Sequence, residues 1–329
     1  LEPPTEDYDI ASAIITAYTS MAKAVVYRGF LVDTLNNQMT KKYVGSDDEL
    51  NQKGRAWGSR VADHLLERAG RDGYAMTRTL PKYEILGRRD TWEPTWPTYG
   101  EALEPHWPKI SPFYMDSVSQ FRLPAPPPFD STKGSPFHAA AMDVYQTVKA
   151  SDSTDLSVAV FWDCNPGPTM VDGHVMKVRK QNTPPGHWMG IHTRMAIQQK
   201  LPLHEATYIN AILMAGIADA VIAAWETKFH YHLLRPETFI QRYIDADWKA
   251  KLESPLFPEY ASAHSSVSGV AASILDVYYP GQGFYDDTNM DFGLPPKNFD
   301  NVWQAAEEAA HSRYLGGIQY KFGCEAGLA

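Results

Sequence analysis

The chain carries, from residue 228 to residue 236, the sequence Lys228-Phe-His-Tyr-His-Leu-Leu-Arg235-Pro236. The run before it, from Ile209 to Trp225, is the longest apolar stretch and predicts a buried helix. Seven residues make about two helical turns, so Lys228 and Arg235 would point the same way, about 10 Å apart, if the helix reaches Pro236. Unpaired cations are costly beside a core helix, so the segment predicts an anion site. A solvated basic helix face is the alternative.

A second segment, Phe257-Pro-Glu-Tyr-Ala261-Ser262-Ala263-His264, is rich in small and hydroxyl residues and is expected to open a helix. A helix start presents backbone N–H groups and the positive end of the helix dipole, and Ser262 adds a hydroxyl. An oxyanion would fit there, with His264 as acid or base. The alternative is an ordinary Ser/Ala-rich helix start with a packed histidine.

The third segment is His311-Ser312-Arg313-Tyr-Leu-Gly-Gly-Ile-Gln319. The planar guanidinium of Arg313 suits two oxygens of a phosphate-like anion. A structural arginine paired with carboxylates is the alternative.

The composition indicates a globular protein that acts on small molecules. Of the 329 residues, 44% are hydrophobic and only 21% are charged, so a large core is expected. The net charge of −9 argues against nucleic acid or an anionic membrane as partner, because both attract cationic surfaces. Asn210 and Asp219 interrupt the apolar run, so no membrane span is predicted.

The pattern of apolar residues favours a single all-α domain spanning residues 1–329, with a helical half to about 130 and a motif-bearing half from about 131. Alternating β patterns are nearly absent. Ten of the 24 prolines lie between Leu80 and Asp130, which predicts a long irregular segment over the core. Helices are expected at residues 10–31, 47–70, 134–149, 154–162 (after Ser153 as N-cap), 187–200, 203–230, 259–279 and 299 to the end.

The two cysteines give little information on compartment. Cys164 and Cys324 could form one bridge, but two free thiols are the preferred interpretation. The first residue is Leu1 rather than Met, and a periplasmic or secreted location is expected on this ground and from the resemblance given next.

Taken in order, the three segments resemble the signature of the vanadium-dependent haloperoxidase and type-2 phosphatidic acid phosphatase superfamily: K-x6-R-P, then P-S-G-H, then S-R-x5-H. The similarity covers about residues 155–329. Trp225 and Phe257 stand where haloperoxidases carry aromatic residues that line the vanadate pocket. The resemblance implies two packed four-helix bundles, with the Pro/Trp-rich segment outside them and narrowing the pocket mouth.

The resemblance also implies roles for the motif residues. In the family, the lysine, both arginines, the serine and a backbone N–H bind the oxyanion, and the middle histidine moves protons. The matching anion-binding positions here are Lys228, Arg235, Ser262, Ala263 and Arg313. His264 would be the acid or base, and Lys228 would help to polarise the bound oxidant. The implied cofactor is vanadate, and phosphate or sulfate could occupy the same site.

One departure affects the family chemistry. Gln319 stands in place of the final histidine, and its amide nitrogen can neither coordinate vanadium nor attack phosphorus because its lone pair is delocalised. His311 would lie about 12 Å away on the same helix and cannot replace it. His232 is a candidate substitute, with a helix-surface role as the alternative.

Two further positions differ from the family signature, and four other residues are candidates for the rim of the pocket. Ala261 replaces proline and Ala263 replaces glycine, and Ala263 keeps its N–H provided its φ is not positive. Candidate residues at the pocket rim are Asp163, Asn165, His187 and Trp188, with loop capping and core packing as the alternative.

Three functions remain open from the sequence. The first is an enzyme that oxidises bromide or iodide with hydrogen peroxide, acting on an organic acceptor. The second is a silent oxyanion-binding protein, or one that uses His264 for cofactor-free acid–base chemistry. The third, a phosphomonoesterase, is less favoured because the nucleophile is missing. A homodimer is expected only from family habit.

Overall fold

Helices form most of the computed structural model, which describes residues 1–164, 169–172, 175–178 and 181–329. Within these residues the β-structure consists of two short antiparallel hairpins, Thr169–Asp172 (β1) with Val175–Val178 (β2), and Phe284–Asp286 (β3) with Lys297–Phe299 (β4), plus one isolated bridge. The all-α prediction is therefore confirmed. The helices are Ile10–Val25 (α1), Gly29–Tyr43 (α2), Asp48–Arg71 (α3), Tyr74–Thr77 (α4), Pro136–Ala150 (α5), Ser153–Phe161 (α6), Pro184–Gln198 (α7), Leu203–Tyr231 (α8), Pro236–Tyr243 (α9), Ala263–Tyr278 (α10), Val302–Leu315 (α11) and Lys321–Leu328 (α12).

The chain divides into two compact units, Leu1–Thr79 with Lys200–Tyr208, and Leu80–Gln199 with Ile209–Ala329. In the first unit α1 packs closely on α3, because Gly54 leaves no side chain between them. A Cβ on Gly54 would lie 2.3 Å from the carbonyl oxygen of Asp9. The prediction of one domain over the whole chain stays a prediction.

In the second unit, α10 packs against α11 and α12, and α5 packs against α9. Aromatic rings fill the space at α5 and α9: the ring of Phe137 lies 5.4 Å from that of Phe239 and 5.3 Å from that of Tyr320. All three side chains are fully buried. This packing fixes the start of α9 and the link from α11 to α12, which carry Arg235 and Gln319.

Several helix boundaries differ from the prediction, each for a local reason. Helix α8 ends at Tyr231, one residue beyond the predicted end, so it does not persist to Pro236; proline disfavours helical backbone in the residue that precedes it. The last predicted helix is two helices, separated at Gly317 with φ of 77°. Helix α10 begins at Ala263 rather than at residue 259, because the Ser262 hydroxyl caps it. Asp152, not Ser153, caps α6.

The Pro/Trp-rich segment from Leu80 to Asp130 is irregular, as predicted, apart from a 3-10 turn at Trp107–Lys109. It is held to α8 by Asp219, whose carboxylate accepts hydrogen bonds from the backbone N–H groups of residues 113, 114 and 115. An ion pair between Arg122 and Glu226 adds a second attachment. Polar groups on an apolar helix thus anchor a segment without regular structure.

Replacing Asp219 by asparagine is expected to reduce the free energy of unfolding by about 2 kcal/mol, because hydrogen bonds to a charged acceptor are lost. The amides of residues 113–115 should also exchange faster in hydrogen–deuterium exchange. Asp291→Asn is the control, since Asp291 is exposed. Unchanged exchange at residues 113–115 would show that Asp219 does not anchor the segment.

Helix α8 is also the one described helix that is long and apolar enough to cross a membrane, with a hydropathy of 1.6 over its most apolar window. Buried core helices meet the same criterion. The predicted lack of a membrane span stays a prediction.

A buried histidine in α7 makes stability depend on pH. His192 is 2% exposed, its Nε2 has no hydrogen-bond partner among the described residues, and burial lowers its pKa to about 4. The unfolded chain takes up a proton on this histidine below pH about 6.5, whereas the folded chain does not do so until about pH 4. Folding stability is therefore lost as the pH falls through this window. Between pH 7 and pH 5, His192 alone accounts for a loss of about 2 kcal/mol in the free energy of unfolding.

The measurement is the free energy of unfolding at pH 7 and pH 5 for the wild-type chain and for His192→Leu. The variant should lose less stability over this interval than the wild-type chain. Equal losses would contradict the assignment.

Candidate functional site

Lys228, near the end of α8, is fully buried and points at main-chain carbonyls. Its Nζ donates to the carbonyl oxygens of Pro258 at 3.0 Å, Glu259 at 2.8 Å and Ala261. Burial lowers the pKa of Lys228 well below its usual value, and the nearby Arg235 acts in the same direction. The three acceptors nevertheless match the three N–H groups of an ammonium, since a neutral amine has only two.

Arg235 reaches the same stretch of chain from the start of α9. Its Nε and Nη2 donate to the Phe257 carbonyl at 3.0 and 2.8 Å, and its Nη1 donates to the Ile318 carbonyl at 2.9 Å. Burial lowers its pKa to about 10, so it stays charged at neutral pH. The two cations converge as predicted, but through a turn and a helix start rather than along one continuous helix.

The aromatic residues named from the sequence lie against these cations. The ring of Phe257 is 5.1 Å from Lys228 Nζ and 5.1 Å from Arg235 Cζ, within the range of cation–π attraction. The ring of Trp225 lies 4.9 Å from that of Phe257. Two cations thus lie against one aromatic ring.

His264 stands in the first turn of α10, after the capping Ser262. Its ring nitrogen Nε2 is buried and has no hydrogen-bond partner among the residues that the structure describes. Burial lowers the pKa of His264 well below 6.5, and the charges of Arg313 and His187 add to the effect. The residue before it, Ala263, has no positive φ, so its N–H remains at the helix start as expected.

Arg313, in the last turn of α11, lies near His264 but binds protein groups. Its Nη1 lies 3.5 Å from Asp163 Oδ1, and its Nη2 donates to the Ala159 carbonyl at 3.1 Å. Both side chains are almost completely buried. The arginine is therefore paired with a carboxylate, which was the alternative considered from the sequence.

Gln319 lies in the link between α11 and α12 and is 3% exposed. Its Nε2 donates to the Glu259 carbonyl at 3.1 Å, the same oxygen that accepts from Lys228. Its Oε1 has no hydrogen-bond partner in the described part of the chain. The position of the family's final histidine is thus directly beside Lys228, with an unpartnered acceptor.

Glu259 was not identified from the sequence as a site residue, yet it joins all three segments. Its side chain is fully buried, Oε1 accepts from the Tyr320 N–H at 2.9 Å, and Oε2 has no partner in the described ranges. Burial raises its pKa to about 7, against the opposing charges of Arg235 and Lys228. The sequence did contain one signal for Glu259: it is an acidic residue that lies between two cationic motifs, those of Arg235 and Arg313.

The proposed rim residues mostly belong to the core. His187 and Trp188 are buried: His187 Nε2 lies 2.8 Å from Asp286 Oδ2, and Trp188 Nε1 donates to Ser268 Oγ at 3.0 Å. Asp163 is the partner of Arg313, and Asn165 falls outside the described residues.

Neither alternative histidine faces this cluster. His232 has left the helix, with φ of 54°, and its Nδ1 lies 3.0 Å from Tyr83 Oη. His311 is exposed beside Tyr314. The hypothesis that His232 replaces the final histidine is therefore wrong: the backbone turn before Pro236 directs it to the irregular segment.

Three further observations complete the surroundings. A cavity of about 600 Å³ is lined by residues 114, 115 and 120–123 of the irregular segment, by α8 and α10, and by residues 326–329, but not by the motif cations or His264. Cys164 and Cys324 are buried free thiols, as preferred from the sequence. Within the described ranges no cluster of three His, Cys, Asp or Glu side chains could hold a metal ion.

Comparison with known proteins identifies the family. Residues 208–329 match the family described as the VCPO second helical-bundle domain. The whole chain superposes on a bacterial vanadium-dependent iodoperoxidase with a TM-score of 0.90 and 35% identity, covering 100% of this chain and 79% of that one. The chain belongs to the vanadium-dependent haloperoxidase superfamily.

Solved structures of bacterial vanadium-dependent chloroperoxidase, in holo and apo form, share the haloperoxidase fold at lower identity. Their TM-scores are 0.73, with 15% and 14% identity over 96% of this chain and 78% and 80% of theirs. A search of curated protein sequences gave no match.

The donor set fits part of what vanadate needs in a haloperoxidase site. Cations, a helix start and the open Nε2 of His264 suit a tetrahedral oxyanion held by charge and hydrogen bonds. Gln319 offers no basic nitrogen for a bond to vanadium, and its unpartnered Oε1 suits a protonated oxygen instead. The site therefore fits an oxyanion but not a vanadium–nitrogen bond.

Proposed function

We propose that this chain is a haloperoxidase-type enzyme that binds a vanadate-like oxyanion and oxidises halide, iodide in the first instance, with hydrogen peroxide. The observation that carries the proposal is the convergence of Lys228, Arg235 and Gln319 on the main-chain carbonyls of residues 257–261. These buried donors come from two motif segments that lie more than 80 residues apart in the chain, Lys228 and Arg235 from the first and Gln319 from the third. The family membership and the iodoperoxidase relative support the same function.

In this proposal the cations balance the charge of the bound anion. Lys228 and Arg235 would each exchange a carbonyl partner for an anion oxygen, and the Ala263 N–H would donate at the helix start. Bound vanadate would make hydrogen peroxide electrophilic toward halide. The halide gives two electrons, one peroxide oxygen ends in the hypohalous acid and the other in water.

His264 handles the protons. Because its pKa is well below 6.5, the ring is neutral at pH 7, so its open Nε2 can accept a proton from hydrogen peroxide. The same ring returns that proton to the oxygen that leaves as water. Gln319 would accept a hydrogen bond from a protonated anion oxygen through Oε1.

The test is iodide oxidation by the chain with orthovanadate and hydrogen peroxide. We expect turnover that depends on vanadate, is inhibited by inorganic phosphate, and falls at least tenfold in His264→Ala, since general acid–base catalysis contributes that much or more. His311→Ala is the matched control and should keep full activity. Turnover without vanadate, or unchanged turnover in His264→Ala, would contradict the proposal.

A second candidate, oxyanion binding without peroxidase turnover, is favoured by Gln319 because the family's nitrogen ligand is absent. Phosphate or sulfate would then be the natural occupant. Tight phosphate binding together with no iodide oxidation at saturating vanadate would select this function.

A further inference from the structure

The buried carboxylate of Glu259 has no role in the proposed chemistry, yet it is built into the anion site. Its main-chain oxygen accepts from both Lys228 Nζ and Gln319 Nε2, and its main-chain N–H donates to the Leu233 carbonyl at 2.9 Å. Its side chain extends to the backbone of Tyr320. The residue therefore lies at the centre of the three motif segments.

The side chain of Glu259 is closely packed. Gly323 of α12 faces it, and a Cβ there would lie 2.5 Å from Glu259 Oε1. Oε2 has no partner within the described residues. A buried carboxylate with one unpaired oxygen is costly unless a cation or a proton compensates it, and Lys228 and Arg235 are the cations that act on it.

The charges of the site can be counted from these contacts. Lys228, Arg235 and Arg313 are the cations. Asp163 lies 3.5 Å from Arg313 and Glu259 is adjacent to the other two, so both carboxylates are part of the site. Three cations and two carboxylates leave one net positive charge, although an oxyanion such as hydrogen vanadate carries two negative charges.

We infer that Glu259 is a specificity-determining residue: its carboxylate is a fixed counter-charge that makes the site favour singly charged tetrahedral oxyanions over doubly charged ones. The inference rests on the oxyanion site of the proposed function. The physical reason is that a dianion is repelled by the carboxylate twice as strongly as a monoanion of the same shape. Glutamine at this position would keep the shape and the Tyr320 hydrogen bond but remove the charge.

The experiment compares perrhenate, a monoanion, with molybdate, a dianion of nearly the same size, by equilibrium dialysis at pH 8.5. This pH lies above the pKa of Glu259, about 7. In Glu259→Gln we expect the ratio of molybdate to perrhenate affinity to rise about tenfold, because the loss of one charge–charge interaction of about 1.4 kcal/mol in a partly buried site corresponds to that factor. Differences in anion size cancel, since only the change in ratio is used.

Two further variants complete the design. Glu226→Gln removes a buried carboxylate that pairs with Arg122 outside the site, and it should leave the ratio unchanged. Asp163→Asn removes the other counter-charge and should raise the ratio in the same direction, which keeps the inference testable if Glu259→Gln does not fold.

The outcomes separate the inference from the proposed function. Binding of both anions with an unchanged ratio in Glu259→Gln and Asp163→Asn would overturn the inference and leave the oxyanion site standing. Binding of neither anion by the wild-type chain and the variants would remove the proposed function and this inference with it. A raised ratio in the site variants and not in Glu226→Gln would establish Glu259 as the selectivity residue.

Discussion

Replacing Gln319 by histidine is expected to raise the affinity for orthovanadate by at least about a hundredfold, or about 2.7 kcal/mol. An imidazole has a basic nitrogen that can bond to vanadium, which the amide of Gln319 lacks. The position is almost completely buried beside Lys228, so the new ligand would act in a site of low dielectric. Equilibrium dialysis of orthovanadate on both proteins, at the same pH and salt, gives the two dissociation constants.

A control is needed because histidine also removes the hydrogen bond from Gln319 Nε2 to the Glu259 carbonyl. Gln319→Leu removes the same hydrogen bond without adding a ligand, and it should not bind vanadate more tightly than the wild-type chain. If the histidine and leucine variants bind vanadate equally, the site does not accept a nitrogen ligand at this position. Tight binding of orthovanadate by the wild-type chain would show that hydrogen bonds and charge hold the anion without a nitrogen ligand.

Replacing Arg235 by alanine is expected to reduce the free energy of unfolding by about 3–5 kcal/mol, the largest stability effect among the changes considered. The guanidinium is fully buried and joins the carbonyls of Phe257 and Ile318, which belong to two different segments of the site. Its removal leaves these carbonyls without their donor and Glu259 without its main counter-charge. Chemical denaturation followed by tryptophan fluorescence measures the change.

Arg235→Lys is the informative comparison, since it keeps the charge but loses the planar fork that spans the two carbonyls. We expect the free energy of unfolding of Arg235→Lys to lie between that of the wild-type chain and that of Arg235→Ala. A loss below about 1 kcal/mol in Arg235→Ala would mean that water replaces the guanidinium at this site. The main-chain contacts of Arg235 would then not be structural.

The order and spacing of the motif residues were enough to predict which segments meet. Lys228, Arg235 and Gln319 do come together, although the local geometry assumed for the first pair was wrong. The alignment of Lys228 with Arg235 was predicted on the condition that the helix reaches Pro236, but Arg235 adopts extended backbone and caps a new helix instead. Packing between segments that are distant in the chain brings the side chains together. The spacing of seven residues between Lys228 and Arg235 does not by itself predict this packing.

The immediate partners of the cations could not be predicted. Main-chain carbonyls accept from Lys228 and Arg235, and a carbonyl has no sequence signature because every residue carries one. Glu259 was passed over because a single glutamate in a Pro/Tyr/Ser-rich stretch reads as a surface residue. Only the position of α12, with Gly323 against the carboxylate, shows that it is inside.

The two buried thiols offer a way to time local opening of the site. Burial raises the pKa of Cys164 to about 12 and raises that of Cys324 further, so little reactive thiolate exists in the folded chain at neutral pH. Cys164 follows α6 near Arg313, whereas Cys324 lies in α12 behind Glu259. A thiol reagent would therefore label Cys164 only when the chain at the end of α6 opens, and Cys324 only when α12 opens. Two separate labelling rates would show which of these two parts of the anion site opens first.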